Sequence, residues 1–483
     1  MTKHRSRTPA ARRQRAGQID IRAGLLWAVL AVGAVVGGLA VAWMPPHPAS
    51  AQTGGGNAST TNEGVNAELA QLNAALAETQ TNLATTQADL AAAMAAIDVL
   101  EMSLGQSHDE LAAVQATLAC VSVVDGEING LAGPHFIIEG CNVHVRSGGG
   151  GTNDGDPLSG LGNLVVGYNE DFGAGDRTGA HNLVVGPNHT YSSYGGLVVG
   201  ASNTVSGPSA SVPGGIENVS SGHFATAAGG QGNVAGGDFS TASGGGGNEA
   251  SGSHSSVSGG NGNRATGFLA SVSGGFHNEA SGQFSSVAGG AVNLASGLTS
   301  SVSGGEDNEA SGLVSTVGGG RDNIASGQHA IVGGGRGNVT SGDYSTVSGG
   351  TQNEASGEFS TVSGGMENLA SGAQSSVSGG WLNEASGDAS SASGGRENIA
   401  SGFVSSVSAG FENAATRRYS SVSGGARNIA IGESSAISGG VENRTHVTYS
   451  TVSGGFRNVA AGNASTVSGG ALITASVDAE HLP

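Results

Sequence analysis

Lysine is almost missing from this chain: Lys3 is the only one among 483 residues. No phosphate-binding P-loop and no Schiff-base lysine can therefore exist beyond the extreme N-terminus. Aromatic residues make up 4% and charged residues 11%, far from an ordinary globular enzyme, where about a quarter of residues are charged. No H-E-x-x-H, G-x-S-x-G or G-x-G-x-x-G occurs, and the 13 histidines stand at no metal-ligand spacing. The one concentrated titratable set is Asp154, Asp156, Glu170, Asp171, Asp176, His135, His144, His181 and His189. It lacks the full spacing of a calcium loop and reads as solvated acidic loops. These absences predict no catalysis, no cofactor and no metal site.

Positive charge is scarce and unevenly spread. Residues 1–22 hold Lys3 and six arginines against Asp20, leaving 11 arginines against 36 acids beyond them. The formal charge of −19 is thus +6 on the first stretch and −25 on the rest. An acidic body of this kind disfavours nucleic acid and anionic membrane surfaces as partners.

Glycine is abundant, 88 residues in all, and it comes in a beat. The unit N-x-A-S-G-x-x-S-S-V-S-G-G-x-x repeats every 15 residues with asparagine at Asn218, Asn233, Asn248, Asn263, Asn278, Asn293, Asn308, Asn323, Asn338, Asn353, Asn368, Asn383, Asn398, Asn413, Asn428, Asn443 and Asn458. A strict period of this length marks stacked rungs. Two short alternating stretches per unit, each bounded by glycine, predict strands and an all-β solenoid. Asn278, Ala280, Ser285 and Val287 are assigned inward, Glu279 and Ser286 outward. The asparagines suit a ladder in which each amide bonds the next rung and the turn backbone. Gly282, Gly289 and Gly290 are expected to supply positive-φ corners. Arg417 and Val447 replace the first corner glycine, and local bulges are expected there.

Ahead of the repeats the chain changes character. A basic stretch precedes an apolar run from Ala23 to Met44 and the triplet Ala49-Ser50-Ala51. Residues 1–51 therefore read as an export element, either a cleaved signal peptide or a retained N-terminal membrane anchor, which puts the remainder outside the cytoplasm. Residues 52–64 read as a polar linker. Over 65–118, Leu69, Leu76, Leu83, Leu90, Ile97, Leu104, Leu111 and Leu118 stand seven apart, with Leu72, Thr79, Thr86, Ala93, Leu100, Ser107 and Val114 at the second seam position. That pattern predicts a coiled-coil stalk. Residues 119–215 read as an adaptor with irregular early rungs, 216–470 as the regular repeat, and 471–483 as a tail. Both cysteines, Cys120 and Cys141, lie in the adaptor; an intrachain disulfide, an interchain bridge at the stalk mouth and free thiols are all open.

Over about 160–470 the alternation x-A-S-G-x-x-S-x-V-S-G resembles the head repeats of trimeric autotransporter adhesins, the YadA-like head. The resemblance implies a left-handed parallel β-roll, a homotrimer joined through the coiled coil, and a surface-exposed adhesive fibre with a host, matrix or other surface ligand. In that family the head precedes the stalk, whereas here the stalk comes first, so membrane attachment is assigned to the N-terminal helix alone. The repeat also resembles the N-x-V-x-G coils of grass ice-recrystallisation inhibitors, which implies an ice- or crystal-binding face; outward pairs such as Thr346 and Ser348, Thr361 and Ser363, Thr451 and Ser453 would form it. The contact residues expected for an adhesive surface are the large side chains at variable turn positions: Phe276, Phe284, Trp381, Phe403, Phe411, Tyr419, Tyr449 and Phe456.

Overall fold

The computed structural model describes residues 60–173 and 175–483, which fall into two units, Met1–Cys141 and Asn142–Pro483. The apolar run Ala23–Met44 and the Ala49–Ala51 triplet lie outside the described residues. Among the described residues no helix is long and apolar enough to cross a membrane.

The first unit contains one described helix, α1, Thr60–Thr117, of 58 residues. It begins inside the stretch expected as a linker, with Glu63 in its first turn, where a carboxylate offsets the positive end of the helix dipole. Among the described residues nothing buries its seam: Leu69 and Leu111 are exposed, Leu104 is 72% exposed, and Leu90 and Ile97 are half-exposed. The seam threonines Thr79 and Thr86 donate their hydroxyls to the carbonyls of Ala75 and Asn82, 2.7 and 2.8 Å away, and so expose no unpaired donor.

Four short strands follow: β1 Val121–Val124, β2 Glu127–Ile128, β3 Leu131–Ala132 and β4 His135–Ile138. β1 pairs antiparallel with β4 and β2 with β3. The tip turn is Asn129-Gly130, both residues at positive φ, as a two-residue hairpin requires. At the open end of the outer pair, Cys120 and Cys141 form an intrachain disulfide with Cα atoms 5.9 Å apart.

The second unit is a parallel β-solenoid of about 21 turns. Two parallel sheets run its length. One begins with Leu164–Val166, Leu183–Val185 and Leu197–Val199 and ends at His481–Leu482; the other runs from Thr190–Tyr191 to Thr474–Ala475. A third line of single bridges runs from Ala201↔Ile216 to Phe456↔Ala471. Successive strands are offset by 19 and then 14 residues before the beat of 15 starts at Thr204↔Val219, one rung earlier than the repeat boundary expected from sequence. The beat also persists through the segment expected as a tail, because backbone pairing at Thr474–Ala475 and His481–Leu482 needs no particular side chain.

Residues 278–292 illustrate one rung. Asn278, Ala280, Ser285 and Val287 are buried, while Glu279 and Ser286 are half-exposed on the outside. Backbone N–H groups along the sides point to the next rung: Glu279 to Asn293 O, Ser281 to Ala295 O, Ser286 to Ser300 O and Ala288 to Val302 O, at 2.8–3.0 Å. The interior closes within a single chain: the inward Asn, the Ala position (Ser220, Thr340 and Thr445 in three rungs) and the Val position (Ala227, Ala242, Ala392 and Ile437 in four) are buried without help from a second copy. Axial backbone hydrogen bonding thus compensates for a core too thin to be held by apolar burial alone.

The corners differ from the sequence expectation. Gly290 has φ 90°, but Gly282 and Gly289 do not enter the left-handed region. The other two left-handed positions of the rung belong to ordinary residues, Phe284 (φ 59°) and Val292 (φ 56°). At both, the N–H turns backward to the preceding rung, Phe284 to Phe268 O and Val292 to Phe276 O, each 2.9 Å. Gly282 answers a different demand: on its backbone a Cβ would lie 2.0 Å from Gly297 O, so a side chain at this position needs the backbone to shift. The rungs carrying Arg417 and Val447 show no bulge; the pairing Ser406↔Ser421 and Ala414↔Ile429 keeps its register. The side chains of Arg417 and Val447 are admitted there by a local shift of the backbone that leaves the strand pairing in register. What changes is one weak bond: the Gly402 N–H reaches Ala415 O at 3.3 Å, whereas the Arg417 N–H turns to Ser420 Oγ at 3.1 Å.

Two predictions arise here. β-Branched residues are poorly suited to left-handed φ, yet Val314 (φ 57°) and Val404 (φ 53°) hold it with partly exposed side chains. Val314→Asn and Val404→Asn are each expected to stabilise the solenoid by about 0.5–1 kcal/mol, additively at this separation, in urea unfolding followed by far-UV circular dichroism. The second concerns the Ser285 position. Ser285 Oγ donates to Gly282 O at 2.7 Å, but Ser240, Ser300 and Ser375 hydroxyls are buried with no partner. Alanine already fills this position at Ala210, Ala225, Ala270 and Ala330. Ser300→Ala and Ser375→Ala should therefore leave the unfolding midpoint unchanged or raise it, since a buried hydroxyl without a partner is unfavourable.

Candidate functional surfaces

The solenoid exposes side chains only at the positions the stacking leaves free. On the sheet containing Val287, the outward file is Ser or Thr at the Ser286 position, followed two residues on by serine in most rungs. Thr346 and Thr361 are paired in register, as are Thr451 and Thr466, which sets their hydroxyls in rows along the axis. Ile331, Ala436, Ala288, Gly318 and Gly333 interrupt these rows. On the opposite sheet, the Glu279 position alternates between acids (Glu249, Glu279, Glu309, Glu354, Glu384) and half-buried aliphatic residues (Leu294, Ile324, Leu369), with Arg264 3.3 Å from Glu249.

The eight aromatic residues expected as a contact surface separate onto two edges. Phe284, Tyr419 and Tyr449 occupy the left-handed corner, with Phe403 one residue earlier in its rung. Phe276, Trp381, Phe411 and Phe456 lie on the line of single bridges at the other edge. The structure adds neighbours that sequence reasoning passed over, because it selected large residues singly and did not file them by their place in the unit. Phe224 and Phe239 stack at 5.3 Å, Phe239 and His254 at 4.8 Å, and Phe268 meets Phe284 edge-on at 5.7 Å. His329, Tyr344 and Phe359 form a second run at 4.9 Å spacings. Where rings stack, as at Phe224–Phe239 and Tyr344–Phe359, adjacent rungs cover their faces, whereas Phe268–Phe284 and Phe403–Tyr419 meet edge-on and Tyr449 is 64% exposed.

The bridge edge is more polar. Arg396 lies over Trp381 and Phe411, with its guanidinium carbon 4.2 and 5.4 Å from the two ring centres, a cation–π arrangement. Beyond it Glu412, Arg427, Glu442 and Arg457 alternate along the axis; Arg427 Nε is 2.8 Å from Glu412 and its Nη1 3.7 Å from Glu442, which also pairs with Arg457. The hydrogen bond from Arg457 holds the Glu442 carboxyl below its ordinary value, and Glu412 holds the Arg427 guanidinium above its own. With Arg444, Ile429 and Val459 these residues line a shallow groove of about 550 Å³.

Six of the nine titratable residues singled out in the adaptor make structural bonds, Asp171 with the Gly173 N–H at 2.9 Å. His135 Nε2 approaches Gly126 O and Leu131 O, and His181 accepts from Ser147 N–H while its Nδ1 lies 3.0 Å from Thr152 O. Asp154 is buried and is held below the ordinary carboxyl value by hydrogen bonds from Ser147 and Ser159; Thr178 does the same for Asp176. His189 is fully buried at the head of the asparagine ladder: Nδ1 accepts from Asn203 N–H at 3.2 Å and Nε2 faces Val185 O at 3.0 Å. Its acceptor and donor thus take the roles that an asparagine amide takes on later rungs. Among the described residues no group of three or more His, Cys, Asp or Glu side chains is placed to hold a metal ion.

Fold and surfaces define a class: a parallel β-solenoid repeat protein whose variable side chains are confined to two outer faces and two edges. The sequence matches no protein-family model, and no curated protein matches it.

Proposed function

We propose that this chain is a structural and adhesive fibre displayed outside the cytoplasm, without catalytic activity. In this reading α1 is a three-chain coiled-coil stalk, the solenoid is a left-handed roll that presents the two aromatic edges, and the N-terminal apolar run directs export or anchors the chain. The observation that carries the proposal is the exposed leucine seam of α1, together with a solenoid that closes its own core. The seam calls for other copies of the chain, while the solenoid, complete in itself, is free to act as a rod about 100 Å long at roughly 4.8 Å per turn. No cofactor or metal enters this reading, and the acidic body points away from nucleic acid. Two measurements test it. Sedimentation of the full-length protein in detergent is expected to give a trimer, and the purified protein is expected to bind saturably to cells, matrix proteins or polysaccharide-coated surfaces. A monomer that binds none of these would remove the proposal.

A second reading rests on the hydroxyl rows of the Val287 sheet, whose regular spacing suits an ordered surface such as ice. Thermal hysteresis in solutions of the protein would support it. The interruptions at Ile331, Ala436, Gly318 and Gly333 favour the fibre.

A further inference from the structure

In the first unit the pair β1–β4 has two unlike sides. Cross-strand partners share a side, so Val121, Ile138, Val123 and Phe136 stand together. The other side carries Ser122, Ile137, Val124 and His135, and there His135 is tied to the carbonyls of Gly126 and Leu131 in the tip hairpin. Among the described residues nothing covers the wholly apolar side: Val123 is 68% and Phe136 69% exposed, and no residue of 121–138 is buried. A hairpin without a buried core is marginal in water, and a disulfide at its base constrains the unfolded chain without giving these side chains anything to pack against.

We propose that this side is a self-recognition surface, packing against the same side of other copies of the chain at the C-terminal end of a parallel helix bundle. The inference rests on the reading of α1 as a coiled-coil stalk and adds direction and register to it. The area supports a second copy as the occupant. With 58 residues, the seam of α1 is about 87 Å long and about 10 Å wide, and so covers roughly 900 Å² per chain, against about 800 Å² per partner in a stable interface. The hairpin follows that strip closely in the chain, since α1 ends at Thr117 and β1 begins at Val121. In a parallel bundle, with axes about 8–10 Å apart, the hairpins of all copies emerge side by side. In an antiparallel bundle they would lie about 87 Å apart, with every Phe136 left in water. The seam itself does not choose, because leucine recurs at one position and the other mixes Leu, Thr, Ala, Ser and Val.

The test uses the full-length chain in detergent with Phe136→benzoylphenylalanine, mixed from isotopically light and heavy copies and illuminated. The expected result is covalent multimers whose light–heavy cross-links map to residues 121–138 of another copy. Cross-links to the N-terminal half of α1 of another copy would overturn the parallel arrangement. Links confined to one copy, or to residues 142–483, would give the surface to a different occupant and overturn the proposal as well. Sedimentation of the unaltered chain separates this inference from the stalk reading: an oligomer lacking hairpin cross-links removes the inference alone, and a monomer removes both. Val123→Ser with Phe136→Ser is expected to weaken self-association at least tenfold; unchanged association of this variant would also count against the proposal.

Discussion

Gly365→Ala is expected to destabilise the solenoid by about 3–5 kcal/mol, the sum of left-handed strain and overpacking. Gly365 has φ 88°, and a Cβ there would lie 2.3 Å from Gly380 O and 2.5 Å from Asn368 Nδ2. Neither neighbour can withdraw, since one is backbone and the other is fixed by the asparagine ladder. Every regular rung has glycine at this position, from Gly200 to Gly470. The adjacent Gly364 supplies the control. Nothing lies within 4 Å of a Cβ placed on it, its φ is not left-handed, and the equivalent position in another rung is Ala409. Gly364→Ala should leave stability unchanged or raise it slightly, through the less flexible unfolded chain. Urea unfolding by circular dichroism, with hydrogen exchange on the flanking rungs, compares the two. Equal effects would contradict the assignment.

Asn338→Asp should be as damaging, and in a pH-dependent way. Asn338 is fully buried; its Nδ2 donates to Gly334 O at 2.8 Å and Gly350 O at 3.0 Å, and its Oδ1 accepts from Asn353 N–H at 3.0 Å. A carboxylate would keep the acceptor but turn an oxygen toward two carbonyls, leaving a buried charge without a counter-ion. Breaking such a site costs about 3–5 kcal/mol. Burial and the facing carbonyls raise the folded pKa of the new carboxyl above its unfolded value of about 3.9. The folded state then holds the proton more tightly than the unfolded one, so the variant loses stability as pH rises past the unfolded value and regains it on acidification. Asn338→Ala lacks that dependence and should cost about 3 kcal/mol, for two carbonyls and one N–H left unpaired. A pH-independent difference between the Asp and Ala variants would contradict this account. In a stack held by nearest-neighbour contacts, both lesions should melt the adjoining rungs first.

The beat of asparagine, alanine and valine was legible as stacked rungs because each recurring side chain has one place to go. The inward assignment of Asn278, Ala280, Ser285 and Val287 needed only alternation and period. The glycines were harder. Gly282 and Gly290 recur with nearly equal regularity, but one makes room for a carbonyl and the other supplies a left-handed φ, and glycine answers both demands with the same letter. The left-handed corners at Phe284 and Val292 were hidden for the opposite reason: the backward hydrogen bond, not the residue type, imposes their conformation. His189 was obscured by its offset of 14 and by its different name, although its donor and acceptor match an amide. The disulfide could not be read from a spacing of 21; the β1–β4 register decides it by bringing Cys120 and Cys141 to adjacent strand ends. The leucine seam was plain in sequence, and it stands exposed in the structure, so what covers it could not be read from contacts among the described residues.

The backward bonds at the corners and the forward bonds along the sides have one more consequence. Each rung meets its two neighbours through the same set of atoms, so a fifteen-residue block can be removed or duplicated and both new junctions are copies of old ones. A change of any other size has to be absorbed in a turn, as the offsets of 19 and 14 are in the early rungs. Selection for a longer or shorter reach can therefore act on the gene in whole blocks of fifteen codons, each adding or removing about 4.8 Å, without any search for a new core.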